Sequence, residues 1–284
     1  MAFHFCSFAS GSTGNCYMAK TETTVLLIDT GIAGRKIISE LSGMGICEED
    51  VNGILVTHEH IDHVKSLKML ARKAINASVY ASSGTLRAVA DKIEGDRSQT
   101  VRAGEAFLIG DITVIPFRIS HDAAEPFGYS LLHGGRQLTV VTDTGYISEE
   151  IYSHISKADL LVLEANHEVN ILKMGAYPYS LKRRILGDEG HLSNEAAGDC
   201  LCRMLKERRK SRADKEGADG QDVEGDIPQK VPKVMLAHLS KDNNTPGQAY
   251  LTIRNILFES DFYINKDLEL DIASRDESSV CLEI

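Results

Sequence analysis

The residues Thr57-His58-Glu59-His60-Ile61-Asp62-His63 bring three imidazoles and the Asp62 carboxylate within six positions. Imidazole nitrogen and carboxylate oxygen are donors that zinc, manganese and iron accept, and no cysteine stands nearby to add sulfur. Alternate side chains of an extended segment share a face, so His58 and His60 can both reach one metal ion. Asp62 and His63, where the chain turns into a helix, can face a second. One such histidine in a polar loop is most simply explained by bonds to backbone or water. Four donors at this spacing, behind an apolar strand at 54–56, favour a metal site.

Upstream, residues 3–8, 15–19 and 24–28 read as strands and 34–41 has helical spacing. Gly11 and Gly14 suit a tight turn between the first two strands. Downstream, 64–74 places Leu67, Leu70 and Ala71 on one helical face, and Ser82 is a cap for a helix to about residue 93. Strands are expected at 106–108 and 112–119, with a hairpin of 127–132 and 137–142 across Gly134-Gly135. A strand at 160–164, a helix from 193 to about 210, a strand at 234–237 and a helix after Thr245 follow. There a capping box is expected: Thr245 accepts from the Gln248 backbone, the Gln248 side chain reaches back, and Pro246 takes the first helical position. Residues 208–233 are charged and nearly devoid of large apolar side chains, which predicts a mobile surface insertion in one domain spanning 1–284.

The pattern His58-x-His60-x-Asp62-His63 resembles the signature of the metallo-β-lactamase superfamily, and Leu27-Ile28-Asp29-Thr30-Gly31 resembles that fold's early Asp-x-Gly turn. The resemblance implies an α/β chain folded as a four-layer αββα sandwich. It also implies two divalent metal ions (zinc, manganese or iron) on His58, His60, Asp62, His63, His121, Asp143 and His238. The last three match in Ile119-Ser120-His121-Asp122, Val141-Thr142-Asp143-Thr144-Gly145 and Leu236-Ala237-His238-Leu239-Ser240. Oxygen-reducing di-iron relatives usually carry glutamate where His60 stands, and many true β-lactamases carry cysteine in place of Asp143. Neither departure is present, which points to hydrolysis of phosphodiesters or thioesters.

The stretch Phe8-Ala9-Ser10-Gly11-Ser12-Thr13-Gly14-Asn15-Cys16 and the later Gly190-His191-Leu192-Ser193-Asn194-Glu195-Ala196-Ala197 resemble the YycJ (WalJ) branch, a likeness that covers nearly all the chain outside the charged insertion. That branch implies a nuclease acting on DNA, with 5′-to-3′ exonuclease the specific expectation. Likeness to tRNA 3′-processing phosphodiesterases implies that His191 touches the scissile phosphate or protonates the leaving oxygen, while Asp62 both binds metal and orients or deprotonates water. Asp29 and Glu164 are expected to steady these groups from behind.

Tyr177-Pro178-Tyr179-Ser180-Leu181-Lys182-Arg183-Arg184 gathers aromatics and cations before His191. Lys182, Arg183 and Arg184, with Ser193 and Asn194, are candidate substrate contacts for a nucleic-acid strand; a solvated basic helix face explains the cations equally well. Asn166 and His167 are expected near the site because they follow the strand ending at Glu164. His4, His133 and His154 match no ligand position.

The 284 residues are 43% hydrophobic and 25% charged, an ordinary globular composition. A formal charge of −10 excludes a broad basic face that coats nucleic acid. Eight acidic against two basic residues stand at 259–284, so a local basic groove elsewhere stays open. No apolar run approaches the roughly 18 residues of a membrane span, and the first ten residues lack the features of a secretion signal; a soluble cytoplasmic protein is expected. Six cysteines without a Cys-x-x-Cys pair predict buried free thiols. The rival readings are a small-molecule thioester, lactone or cyclic phosphodiester hydrolase of the same fold, and a non-catalytic metal-binding scaffold. The complete donor set argues against the scaffold.

Overall fold

Largely apolar strands build two sheets whose central members are buried on both faces. The computed structural model describes residues 2–218 and 231–284. In the first sheet β1 (His4–Ala9), β2 (Cys16–Lys20), β3 (Val25–Ile28), β4 (Val51–Leu55), β5 (Ser78–Ala81) and β6 (Ser98–Thr100) lie in that order. The second holds β7 (Phe107–Ile109), β8 (Ile112–Arg118), β9 (Phe127–His133), β10 (Arg136–Val141), β11 (Leu160–Glu164), β12 (Lys233–Ala237) and β13 (Glu269–Ile272). β14 (Leu282–Glu283) returns to the outer edge of β1.

Each sheet changes mode once. β1 to β3 pair antiparallel and β3 to β6 parallel. Likewise β7 to β10 pair antiparallel and β10 to β13 parallel. β3 and β10 therefore sit at the two switches, and ligands of α/β sheets bind beyond the carboxyl ends of strands at such points.

Side-chain alternation sends Phe5, Tyr17, Leu138 and Val162 into the core between the sheets. Cys6 and Met18 turn instead to the helices over the first sheet, and Leu161 and Leu163 to those over the second. The first outer layer holds α1 (Gly34–Gly43), α2 (Ile61–Val64), α3 (Leu67–Lys73) and α4 (Ser83–Ala88). On the other side come α5 (Glu149–Ile155), α6 (Val169–Met174), α7 (Tyr179–Ile185), α8 (Asn194–Ala218) and α9 (Pro246–Glu259). Two mixed sheets flanked by helices are the expected sandwich.

Several local expectations change. The helix expected over 64–74 breaks at Ser66, because its N–H donates to the Thr30 carbonyl (2.9 Å) and its hydroxyl to the Ile32 carbonyl (2.6 Å). Half the capping box forms at α9: Thr245 Oγ1 accepts from the Gln248 N–H at 3.1 Å, while Gln248 Nε2 donates to Thr252 and Glu168 instead of reaching back. α8 continues past Arg208 to Ala218, so this part of the expected loop insertion is helical. Arg208 anchors it to the Ser156 carbonyl (3.2 Å) and Arg209 to the Asp261 carbonyl (2.8 Å). Residues 219–230 of that insertion lie outside the described residues. All six cysteines are free, but Cys47 and Cys281 are exposed, contrary to the expectation of burial. No described helix is long and apolar enough to cross a membrane.

Candidate metal centre

The chain delivers its donors just beyond strand ends: Asp29 after β3, residues 58–63 after β4, Asp143 after β10, Glu164 at the end of β11 and His238 after β12. Asp29, Asp143 and His238 adopt φ of 61°, 57° and 54°, the left-handed region that strains residues bearing a side chain. Such strain persists where the surrounding structure enforces it, commonly at functional sites. Two of these residues open the same tripeptide, Asp29-Thr30-Gly31 and Asp143-Thr144-Gly145, on the two switch strands. Both glycines are needed for close backbone approach. A Cβ at Gly31 would lie 1.6 Å from the Asp62 carbonyl oxygen, and one at Gly145 2.2 Å from that of Asp188.

All seven sequence-expected donors converge. His58, His60 and His121 form one group and Asp62, His63 and His238 another, their ligand atoms within 4.8 Å of one another in each. Asp143 reaches both: its carboxylate oxygens lie 3.2 Å from His63 Nε2, 3.4 Å from His238 Nε2 and 3.9 Å from His121 Nε2. His60 Nδ1 stands 3.3 Å from His121 Nε2.

A layer of acceptors behind the imidazoles aims them. Asp29 Oδ2 accepts from His63 Nδ1 and from Thr57 Oγ1, each at 2.8 Å, and Oδ1 accepts from the Thr57 N–H. The Gly190 carbonyl accepts from His121 Nδ1 at 3.2 Å. Glu164 is fully buried and accepts from His191 Nδ1 (2.8 Å), His238 Nδ1 (3.0 Å) and the N–H groups of Thr144 and Leu192. With Nδ1 engaged, His63, His121 and His238 turn Nε2 toward the cluster, as metal-binding imidazoles do.

Charge within the cluster is organised for cations. Burial alone would lower the His63 pKa, but Asp143 and Asp29 override it and hold the imidazole well above its ordinary value. His238 likewise resists burial and is pushed up to about 10 by Asp143, Asp62 and Glu164. Burial would raise Glu164, yet His191 and His238 hold it down to about 2. His58 is held well below its ordinary value by burial and by His63, which keeps it neutral and able to donate a lone pair. His58 Nε2 and His238 Nε2 are buried with no hydrogen-bond partner. Buried polar atoms are rarely left so, and here a divalent cation fits them.

The remaining sequence-expected residues divide. Arg184 Nε donates to the Asp122 carboxylate, which lies beside His121, so Arg184 reaches the rim of the cluster. Lys182 Nζ donates instead to the carbonyls of Lys173 and Gly175, while Arg183 is exposed. Ser193 Oγ caps α8 by accepting from the Ala196 N–H at 3.1 Å. Asn194 is fully buried and tied to Glu168 and Asn244. His167 is buried, with burial lowering its pKa to about 4, and Asn166 Nδ2 donates to the His238 carbonyl. His133 bonds to the Asp111 carbonyl and His154 to Ser130.

Sequence reasoning missed three supports. Asn15 Nδ2 lies 3.1 Å from His63 Nε2, Ser10 Oγ accepts from the His238 N–H at 2.8 Å, and Asp122 holds Arg184. Ser10 and Asn15 belong to the quoted 8–16 stretch, and the doubled Asp-Thr-Gly was visible as a signal for paired switch strands.

Residues 24–210 match the family described as Beta-lactamase superfamily domain. Exodeoxyribonuclease YycJ of Bacillus anthracis is 37% identical over 273 residues, covering 95% of this chain and 95% of that protein. Exodeoxyribonuclease WalJ of Streptococcus pneumoniae serotype 2 (strain D39) is 34% identical over 289 residues, covering 100% and 99%. The crystal structure of Zn(2+)-bound PqqB from Methylobacterium extorquens superimposes with a TM-score of 0.69 at 15% identity over 99% of this chain and 100% of that one, a likeness of fold.

Proposed function

Given that the chain belongs to the metallo-β-lactamase superfamily and is similar along its length to the YycJ and WalJ exodeoxyribonucleases, we propose that it is a two-metal hydrolase that degrades DNA from 5′ to 3′. The observation that carries this reading is that His58, His60 and His121 cluster, that Asp62, His63 and His238 cluster, and that the Asp143 oxygens approach members of both. His58, His60 and His121 would hold one ion and Asp62, His63 and His238 the other, with Asp143 between. Divalent ions so held supply an activated water and positive charge for the oxygens of a phosphodiester.

The protein's own groups supply the rest. Asp62 carries the more exposed carboxylate of the cluster, its side chain 21% exposed against 2% for Asp143, so it can orient the incoming water and take its proton. His191 is fixed through Nδ1 by Glu164, which leaves Nε2 for substrate. From there it gives a proton to the departing oxygen. Among the described residues Arg184 engages Asp122 through Nε alone, unlike a guanidinium bound at every nitrogen, which supports it as a contact for a neighbouring phosphate of the DNA backbone.

Asp29 should matter without touching a metal. Asp29→Asn keeps the shape but weakens the acceptor that aims His63, so metal affinity falls roughly 10–100-fold. Competition with a chromophoric chelator measures this; unchanged affinity would mean that the left-handed turn alone places His63.

The test of function is turnover of 5′-labelled single- and double-stranded DNA, RNA and bis(p-nitrophenyl) phosphate with Mn²⁺ or Zn²⁺, with His60→Ala as control. Stepwise loss of DNA from the 5′ end, absent in the variant, is expected. Cleavage of the small diester alone would move the activity to a small-molecule ester, and no metal-dependent cleavage at all would overturn the hydrolase reading.

A further inference from the structure

Residues that neighbour Asp143 and His191 in the chain line a cavity of about 320 Å³ that nothing in the reaction above uses. It begins at Gly145, two residues after Asp143, and at Leu192, directly after His191. Its wall continues through Tyr146, Ala196 and Tyr152 to Arg203. Small-molecule pockets span roughly 300–1,000 Å³, so this one suits a single compact group.

Its chemistry describes that group. Tyr146 is 47% exposed, an aromatic face left open to solvent beside the site. Arg203 lies 3.5 Å above the Tyr152 ring, and its guanidinium donates twice to Glu149, at 2.7 and 2.8 Å. That cation is already neutralised, and Asp199 adds a carboxylate to the same wall. A phosphate is therefore disfavoured. A flat, neutral ring with polar edges meets an aromatic face, an acceptor and a donor.

Resting on the nuclease reading, the direction of cleavage says which ring this is. Hydrolysis from the 5′ end breaks the bond between phosphorus and O3′ of the terminal nucleotide. Water supplies the oxygen that stays on phosphorus, and O3′ leaves with a proton from His191. The departing nucleotide thus lies on the His191 side, and Leu192, the next residue in the chain, lines the cavity. We propose that this cavity seats the base of the departing 5′-terminal nucleotide, with Tyr146 stacked on it. The terminal base must then be unpaired when the bond is cut.

The test compares two 5′-phosphorylated single-stranded oligonucleotides that differ only in whether the terminal residue carries a base or is abasic. Wild-type enzyme with Mn²⁺ is expected to favour the base-bearing substrate roughly tenfold or more in kcat/KM. Tyr146→Ala should bring that substrate down to the abasic level, whereas Tyr146→Phe should retain the preference. Equal rates on the two substrates in the wild type, or an undiminished preference in Tyr146→Ala, overturns the proposal while leaving the nuclease reading intact. A wild type that cleaves only bis(p-nitrophenyl) phosphate overturns the nuclease reading itself, and this seat with it.

Discussion

Asp143→Asn is expected to abolish turnover, with kcat falling by about 10³-fold or more, and to lower the metal content of the purified protein. Asp143 is the residue whose oxygens approach donors of both groups, and it is fully buried among them. Loss of its charge removes several kcal/mol of metal binding and charge stabilisation, and each ~1.4 kcal/mol is a factor of ten in rate. Asparagine is nearly isosteric and, like aspartate, tolerates the φ of 57° found here, so the fold should survive. Metal analysis, circular dichroism and hydrolysis of bis(p-nitrophenyl) phosphate read the three effects separately. Two bound metals and near wild-type turnover in the variant would defeat the shared-ligand assignment.

His191→Ala should lower kcat on DNA by about 10²–10⁴-fold, the usual contribution of a positioned acid, while leaving metal content as it was. Glu164 takes His191 Nδ1 at 2.8 Å and His238 Nδ1 at 3.0 Å, so one buried carboxylate ties His191 to the donor cluster. p-Nitrophenolate leaves without needing a proton. The loss on bis(p-nitrophenyl) phosphate should consequently be much smaller than on DNA. Equal losses on both substrates would recast His191 as a phosphate contact, and a loss of metal would recast it as a ligand.

The centre was legible because its donors are clustered in the chain. Four stand at 58–63, and the other three each follow a largely buried strand. Apolar content likewise located β8 to β12. Where apolar content fell, the reading failed: β6 is exposed throughout, β13 reads Glu-Leu-Asp-Ile, and β14 is two residues long. Those strands are held by pairing to a neighbour already in place, a long-range cause that leaves little local mark. The break at Ser66 has the same origin, since the carbonyls of Thr30 and Ile32 claim its donors from thirty-odd positions away. Side-chain roles were hardest to read. Ser193 and Asn194 stand two and three positions after His191, yet one caps α8 and the other lies in the core.

The strand β14 and the residues before it bear on how the protein is made. Ser10 N–H donates to the Ser274 carbonyl, Ser279 pairs with Ser7, and Arg275 holds the carbonyls of Leu239, Ser240 and Asn244 just beyond His238. A nascent chain has therefore synthesised every donor once His238 is added, but lacks the braces that set the loops around Ser10 and His238. Those braces emerge from the ribosome later. Removal of residues 274–284 should therefore leave a chain with all its donors but loosened loops around Ser10 and His238.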